Sequence, residues 1–252
     1  MAAPDEPNPA PTAGDARYPA WPRRPARLAT AVVEDLVDRI VSGAIPVSSA
    51  LPTEPALCET FGVSRTVVRE AVKSLEGMHL VRVQQGLGTR VRAAVDWDLL
   101  NPVVLAASVR HDAERSILED LVSVRRALES QMAGQAARAA SEAQLTDIET
   151  ALRQVQAEDQ DGTRFFRADL AFHDAIMEAS GNRFARAVIR TVNNEAFRSM
   201  RYIGAPTHAD YQQSNREHQE IFDQLHARDA TKATRAMDNH IYESWLKRKP
   251  QD

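Results

Sequence analysis

Two short amphipathic segments stand only three residues apart in the first third of the chain, and that spacing restricts the fold more than anything else in the sequence. Thr53 is a good N-cap with Glu54 in the first turn behind it, Leu57 and Phe61 give an apolar face, and Gly62 ends the segment. Ser64 caps the next segment, where Val68, Ala71, Val72 and Leu75 recur at helical spacing until Gly77 closes it. Two helices joined by so short a glycine-containing turn make a helix-turn-helix. A further helix is expected before them over Ala29–Val41, with Val33, Leu36, Val37 and Ile40 inward. After them, Leu80–Gln84 and Thr89–Val91 alternate around Gly86-Leu87-Gly88 as a β-hairpin. Three helices and a hairpin wing form a winged helix-turn-helix.

Net charge does not advertise the ligand of such a module: over 252 residues it is −4. Local charge does. Between Gly62 and Arg92, six Lys/Arg (65, 69, 73, 82, 90, 92) face two acids (70, 76), leaving +4, whereas the preceding helix is acidic at Glu34, Asp35 and Asp38. Arg65 and Arg69 lie one turn apart on the face opposite the apolar stripe, with Thr66 beside them. A helix N-terminus entering the major groove puts such side chains at base edges, where Arg bonds guanine bidentately and Thr reaches a phosphate or a thymine methyl. The bland alternative is a structural three-helix unit with a solvated basic face.

The stretch LPTE…LCETFGVSRTVVREAVKSLEGMHLV…QQGLGTRV resembles the DNA-binding domain of the GntR family of bacterial regulators. That resemblance implies that Ser64, Arg65, Thr66 and Arg69 read double-stranded operator DNA and that Gln85-Gly86 at the wing tip reaches the minor groove. Many members carry an Arg after the Glu that corresponds to Glu54; this chain has Pro55, so that contact is missing or supplied elsewhere.

The chain divides by composition. Seven of its 13 prolines fall in residues 1–25, which can bury almost nothing and read as a disordered arm; Arg23, Arg24 and Arg27 at its end could touch phosphates, although a solvated tail is the plainer reading. Residues 26–93 are the winged module, 94–112 a connector with a short helical piece, and 113–248 an all-α bundle. Helices are expected over Ser116–Ala140, Glu142–Ala157, Thr163–Ala179, Arg183–Ile203, Tyr211–Ala227 and Ala230–Lys247, with Ser141 and Gln144 as a capping box. One cysteine, Cys58, precludes an intrachain disulfide and fits a reducing cytoplasm. No apolar run approaches the roughly 18 residues of a membrane span, and the N-terminus lacks the pattern of a signal peptide.

In the bundle, polar residues interrupt apolar stripes. Asp169 and His173 sit one turn apart amid Phe165, Phe166, Leu170, Phe172, Ile176 and Met177; His218 is central among Tyr211, Ile221, Phe222 and Leu225; His240 lies at the edge of a stripe with Ala236, Met237 and Ile241. A buried carboxylate and imidazoles are costly unless paired or metal-bound, and three imidazoles with one carboxylate suit zinc, nickel or another first-row ion. Lone inward histidines are more often core residues with a satisfied hydrogen bond. His79, His111, His208 and His226 project elsewhere, His208 into a loop. Arg125 falls mid-stripe between Leu121 and Leu128 while Arg126 turns away. An inward Arg is either a carboxylate receptor or the partner of Glu129 four residues on. Arg198 and Arg201 are weaker candidates.

The segments VRRALESQMAGQAA, ADLAFHDAIMEASGN and REHQEIFDQL…MDNH are similar to the FCD effector domain found in the FadR group of GntR regulators. This implies a divalent metal held by Asp169, His173, His218 and His240, zinc foremost with nickel or manganese as alternatives. It also implies a small organic acid contacting Arg125, and a homodimer. The connector WDLLNPVVL resembles that of sugar-acid-responsive members, notably regulators of galactonate use. The expected mechanism is repression relieved by a sugar-acid-like effector. A hydrolytic enzyme is disfavoured because no inward general base accompanies the ligand set, and a fatty-acyl pocket because the inward groups are polar.

Overall fold

The computed structural model describes residues 25–248 apart from 85, 87, 114–115, 159–160 and 197–205, with no side-chain description at 25–27, 195–196 and 248. The arm to residue 24, the side chain of Arg27, and Gln85, Arg198 and Arg201 therefore lie outside the described residues.

Helix α1 spans Pro25–Val41, four residues longer at its start than its periodicity suggests, and buries Val32, Val33, Leu36, Val37 and Ile40. Helix α2 (Glu54–Phe61) begins at Thr53, whose hydroxyl accepts from Ala56 N at 3.5 Å, and ends at Gly62 in the left-handed region at φ 62°. Helix α3 (Arg65–Gly77) is capped by Ser64, which accepts from Val67 N at 3.4 Å, and buries Val67, Val68, Ala71 and Leu75.

Helix α3 ends at Gly77, as the sequence suggested, but Gly77 is its last helical residue and not the left-handed one. The left-handed position falls on His79 at φ 60°. There, His79 N donates to Glu76 O at 3.0 Å and Leu80 N to Leu75 O at 3.0 Å, a Schellman closure, with Leu75 and Leu80 both fully buried at the expected apolar contact. The chain turns at His79 because burying Leu80 over Leu75 fixes the register.

Strands β1 (Val81–Gln84) and β2 (Gly88–Val91) pair antiparallel with Val81 opposite Val91 and Arg82 opposite Arg90. Residues 48–51 bond the other edge of β2 through Ser48 N to Val91 O and Leu51 N to Thr89 O, so β2 is not an open edge. Gly86 sits at the tip at φ 79°.

Helix α4 (Pro102–His111) is a full helix where the sequence suggested only a short helical piece in a connector, and its apolar residues serve two cores. Val104 and Ala107 pack with α1, α3 and the wing; Leu105 and Val109 pack into the bundle. Arg110 and His111 at its end meet Asp38 of α1 at 3.0 and 2.9 Å.

The bundle comprises α5 (Ser116–Ala139), α6 (Glu142–Ala157), α7 (Gly162–Ala179), α8 (Arg183–Ala196), α9 (His208–His226) and α10 (Ala230–Arg248). Reciprocal hydrogen bonds between Ser141 and Gln144 (2.9 and 3.2 Å) start α6, and Asp161 caps α7. A second capping box, Thr207 with Asp210, starts α9 three residues before the expected Tyr211, so His208 is helical rather than in a loop. Gly134 lets α5 approach α10 closely: a Cβ there would stand 2.3 Å from Thr234 Oγ1 and 3.1 Å from Ala230 O. Among the described residues the only strands are those of the wing, and the fold is mainly α with a winged helix-turn-helix followed by a helical domain. No helix among them is long and apolar enough to cross a membrane.

Candidate metal centre and nucleic-acid interface

On α3 the apolar face is consumed by the head's core, so Ser64, Arg65, Thr66 and Arg69 are left on the exposed side. Arg65 has no ion-pair partner among the described residues, while Arg69 Nε lies 3.6 Å from Glu54 Oε1 in a solvent-exposed pair. Pro55 occupies the first turn of α2, where its missing N–H costs nothing. Gly86 is exposed at the wing tip, and the exposed Arg82 and Arg90 stand opposite each other across the hairpin below it.

In the bundle, Asp169 and His173 come from α7, His218 from α9 and His240 from α10. All four are buried, and one donor atom of each lies within 4.8 Å of the others. His240 Nε2 stands 3.2 Å from His173 Nε2 and 3.1 Å from His218 Nε2; Asp169 Oδ1 stands 3.1 Å from His218 Nε2 and 3.9 Å from His173 Nε2. Donors about 2 Å from a shared first-row cation stand roughly 3 Å from one another, which the three shorter spacings match. Asp169 Oδ1 approaches His218 in distance but not in direction, and accepts no directed hydrogen bond among the described residues. A fully buried carboxylate oxygen without a donor is the mark of a group shaped for something electropositive. The residues present fit a divalent cation.

The electrostatics agree. Burial would raise the Asp169 carboxyl, but the surrounding imidazoles of His218, His173 and His240 outweigh it and hold it below the usual carboxylate range. Burial lowers His218, and burial with the neighbouring His218 pushes His240 down to about 3. Rings so depressed are neutral near pH 7, the form that ligates metal. Phe172 and Phe165 pack on the His218 ring at centroid distances of 4.8 and 6.5 Å and shield it from water.

Arg125 is buried, as its mid-stripe position implied, and its Nε donates to Glu129 Oε1 at 2.7 Å, so the i,i+4 ion pair exists. Glu129 then reaches across the bundle: its Oε2 lies 2.5 Å from His173 Nδ1. Despite complete burial, which would raise it, Arg125 and His173 hold Glu129 down to about 2. Glu217 does the same for His240, with Oε2 2.9 Å from Nδ1, and is likewise held at about 2 by His240 against its burial. In the sequence Glu129 stands out only as a neighbour of Arg125, and Glu217 carries no signal because it lies off the apolar stripe of α9.

The comparisons define the class. The model for "Bacterial regulatory proteins, gntR family" matches residues 28–91 and that for the FCD domain residues 120–243. The HTH-type transcriptional regulator LutR of Bacillus subtilis is 31% identical over 206 residues, covering 80% of this chain and 92% of LutR. The chain thus belongs to the GntR family of transcription regulators, with a gntR-type DNA-binding head and an FCD domain, and is not an enzyme. The galactonate operon transcriptional repressor of Escherichia coli K12 is similar too, at 28% identity over 205 residues, covering 81% of this chain and 90% of the repressor. A solved structure of Lar from Listeria monocytogenes shares the fold, with a TM-score of 0.56 at 15% identity over 87% of this chain and 95% of Lar.

Proposed function

We propose that this regulator is a dimeric repressor whose affinity for its operator is set by a small carboxylic acid held beside a divalent cation in the helical domain. The buried Asp169, His173, His218 and His240 set, with its unpartnered Asp169 oxygen, carries that reading. A bound cation supplies a Lewis-acid anchor for a carboxylate; zinc suits this donor set best, with nickel and manganese as alternatives. The buried Arg125 guanidinium, on α5 and joined to His173 through Glu129, is the side chain assigned to the effector's acid group. The name of the Escherichia coli relative makes sugar acids the class to test first.

On DNA, the exposed Ser64, Arg65, Thr66 and Arg69 enter the major groove, and Gln85 and Gly86 the adjoining minor groove. Two-fold symmetry doubles the half-site. Residues 26–93 form the reading head and 113–248 the effector domain, working in the cytoplasm. Helix α4 is the joint, since one of its faces is packed in each core. An effector that prefers one arrangement of the bundle changes the head's placement only by its differential affinity for the two arrangements.

The test is metal analysis of the purified protein, followed by titration of sugar acids against a labelled operator with the metal bound. The expected result is one equivalent of metal per chain and release of the operator by at least one hydroxy acid. Operator affinity that no such acid changes would sink the effector role, and affinity that tracks metal alone would replace it with metal sensing.

A further inference from the structure

We propose that Glu129 and Glu217 are positioning residues of the cation centre, each fixing which nitrogen its histidine turns toward the ion. The inference rests on the cation reading above. Glu129 Oε2 faces His173 Nδ1 at 2.5 Å while its Oε1 takes the Arg125 Nε–H at 2.7 Å. Glu217 Oε2 faces His240 Nδ1 at 2.9 Å while its Oε1 takes Lys247 Nζ at 3.1 Å and Gln213 Nε2 at 3.0 Å. Both are the same device: a cationic side chain pins one carboxylate oxygen, and the other oxygen pins an imidazole.

An ionised carboxylate only accepts, so Nδ1 of each ring carries the hydrogen, and a neutral ring then presents a bare Nε2. Those two Nε2 atoms meet at 3.2 Å. Two lone pairs at that separation repel unless something electropositive lies between them. The carboxylates thus create the demand that a cation satisfies, and by drawing on Nδ1–H they make each ring a stronger donor. The geometry also spans the bundle. Glu129 on α5 orients a ligand on α7, and Glu217 on α9 orients one on α10, so neither ligand is set by its own helix. His218 is the internal control: among the described residues its buried Nδ1 has no hydrogen-bond partner, and no carboxylate there sets its tautomer.

Full-length wild type, E217Q, E217A, E129Q and E129A are compared for zinc affinity by competition with a chromophoric chelator, and for histidine tautomers by side-chain nitrogen NMR. Each substitution is expected to weaken zinc roughly 10- to 100-fold, Gln less than Ala because the amide oxygen still accepts from Nδ1. In E217A the His240 signal loses its Nδ1–H preference while His218 is unmoved. If the Glu129 variants, which take the carboxylate from a buried Arg125, fail to fold, the less deeply buried Glu217 site decides alone. Zinc held by wild type and, within twofold, by folded E217A with unchanged tautomers overturns this inference and leaves the cation centre standing. A wild type that takes no zinc overturns both.

Discussion

Gly134→Ala sets two effects of opposite sign against each other. On propensity alone, alanine in mid-helix stabilises α5 by about 0.5–1 kcal/mol. The structure opposes this, because the new Cβ would lie 2.3 Å from Thr234 Oγ1 and 3.1 Å from the backbone oxygen of Ala230 on α10. Thr234 has little room to yield: it is β-branched, and its hydroxyl donates to Ala230 O at 2.9 Å. Overpacking of this kind costs about 1–3 kcal/mol. The net expectation is a loss of about 1–2 kcal/mol, read by urea unfolding followed by circular dichroism. Thr234→Ala removes the closest atom, so the double variant should be at least about 1 kcal/mol more stable than the sum of the single changes. Because α5 carries Glu129 and α10 carries His240, separating the helices should weaken metal binding as well. A stabilised Gly134→Ala, or a cycle that sums to zero within about 0.5 kcal/mol, would refute the close approach of α5 and α10.

Other expectations follow from the head. Arg65→Ala and Arg69→Ala should each cost operator affinity about 1–3 kcal/mol, roughly 5- to 150-fold, without changing thermal stability, since the Arg69–Glu54 pair is exposed; unchanged affinity in a fluorescence titration would remove α3 from the reading role. His79→Gly should stabilise the protein by about 1 kcal/mol, because glycine takes the left-handed position without the Cβ penalty; no gain in denaturant midpoint counts against the Schellman closure. Hydrogen bonds from His111 and Arg110 lower the Asp38 carboxyl below its ordinary 3.8. This link between α1 and α4 is therefore present above about pH 4 and lost as pH falls through the depressed value. Its contribution is under about 1 kcal/mol because both partners are solvent-exposed. Asp38→Asn should remove that part of the acid dependence, and an identical pH–stability profile for the variant would deny the link.

The winged head was legible because its signals are local and agree with one another. Thr53 and Ser64 each cap the helix that follows, Gly62 supplies the left-handed residue between them, and the buried stripe of α3 includes three of the four positions its periodicity marks. Helix α4 was not legible, for a physical reason. Val104 and Ala107 face one core while Leu105 and Val109 face another, so the apolar positions encircle the helix and no single amphipathic period emerges. His79 escaped notice because the residue that turns left-handed after α3 is selected by where Leu80 can be buried, a tertiary demand that overrides the nearby glycine.

The bundle shows the same limit in its chemistry. A helical projection reveals which face a residue takes but not what stands opposite it. Asp169 and His173 were readable as inward because the phenylalanines around them define the face, and the structure buries both. Arg125 was readable as inward too, yet the projection offered only its own-helix neighbour Glu129 as a partner. The decisive contact of Glu129 lies 44 positions away at His173, on another helix. Glu217 was harder still: it sits off the apolar stripe of α9 and becomes meaningful only because His240 of α10 turns Nδ1 toward it. The residues that would bind an ion are therefore visible in one dimension, each against its own helix. Those that aim them are not, because a carboxylate that orients a neighbouring helix's imidazole leaves no mark on the periodicity of either helix.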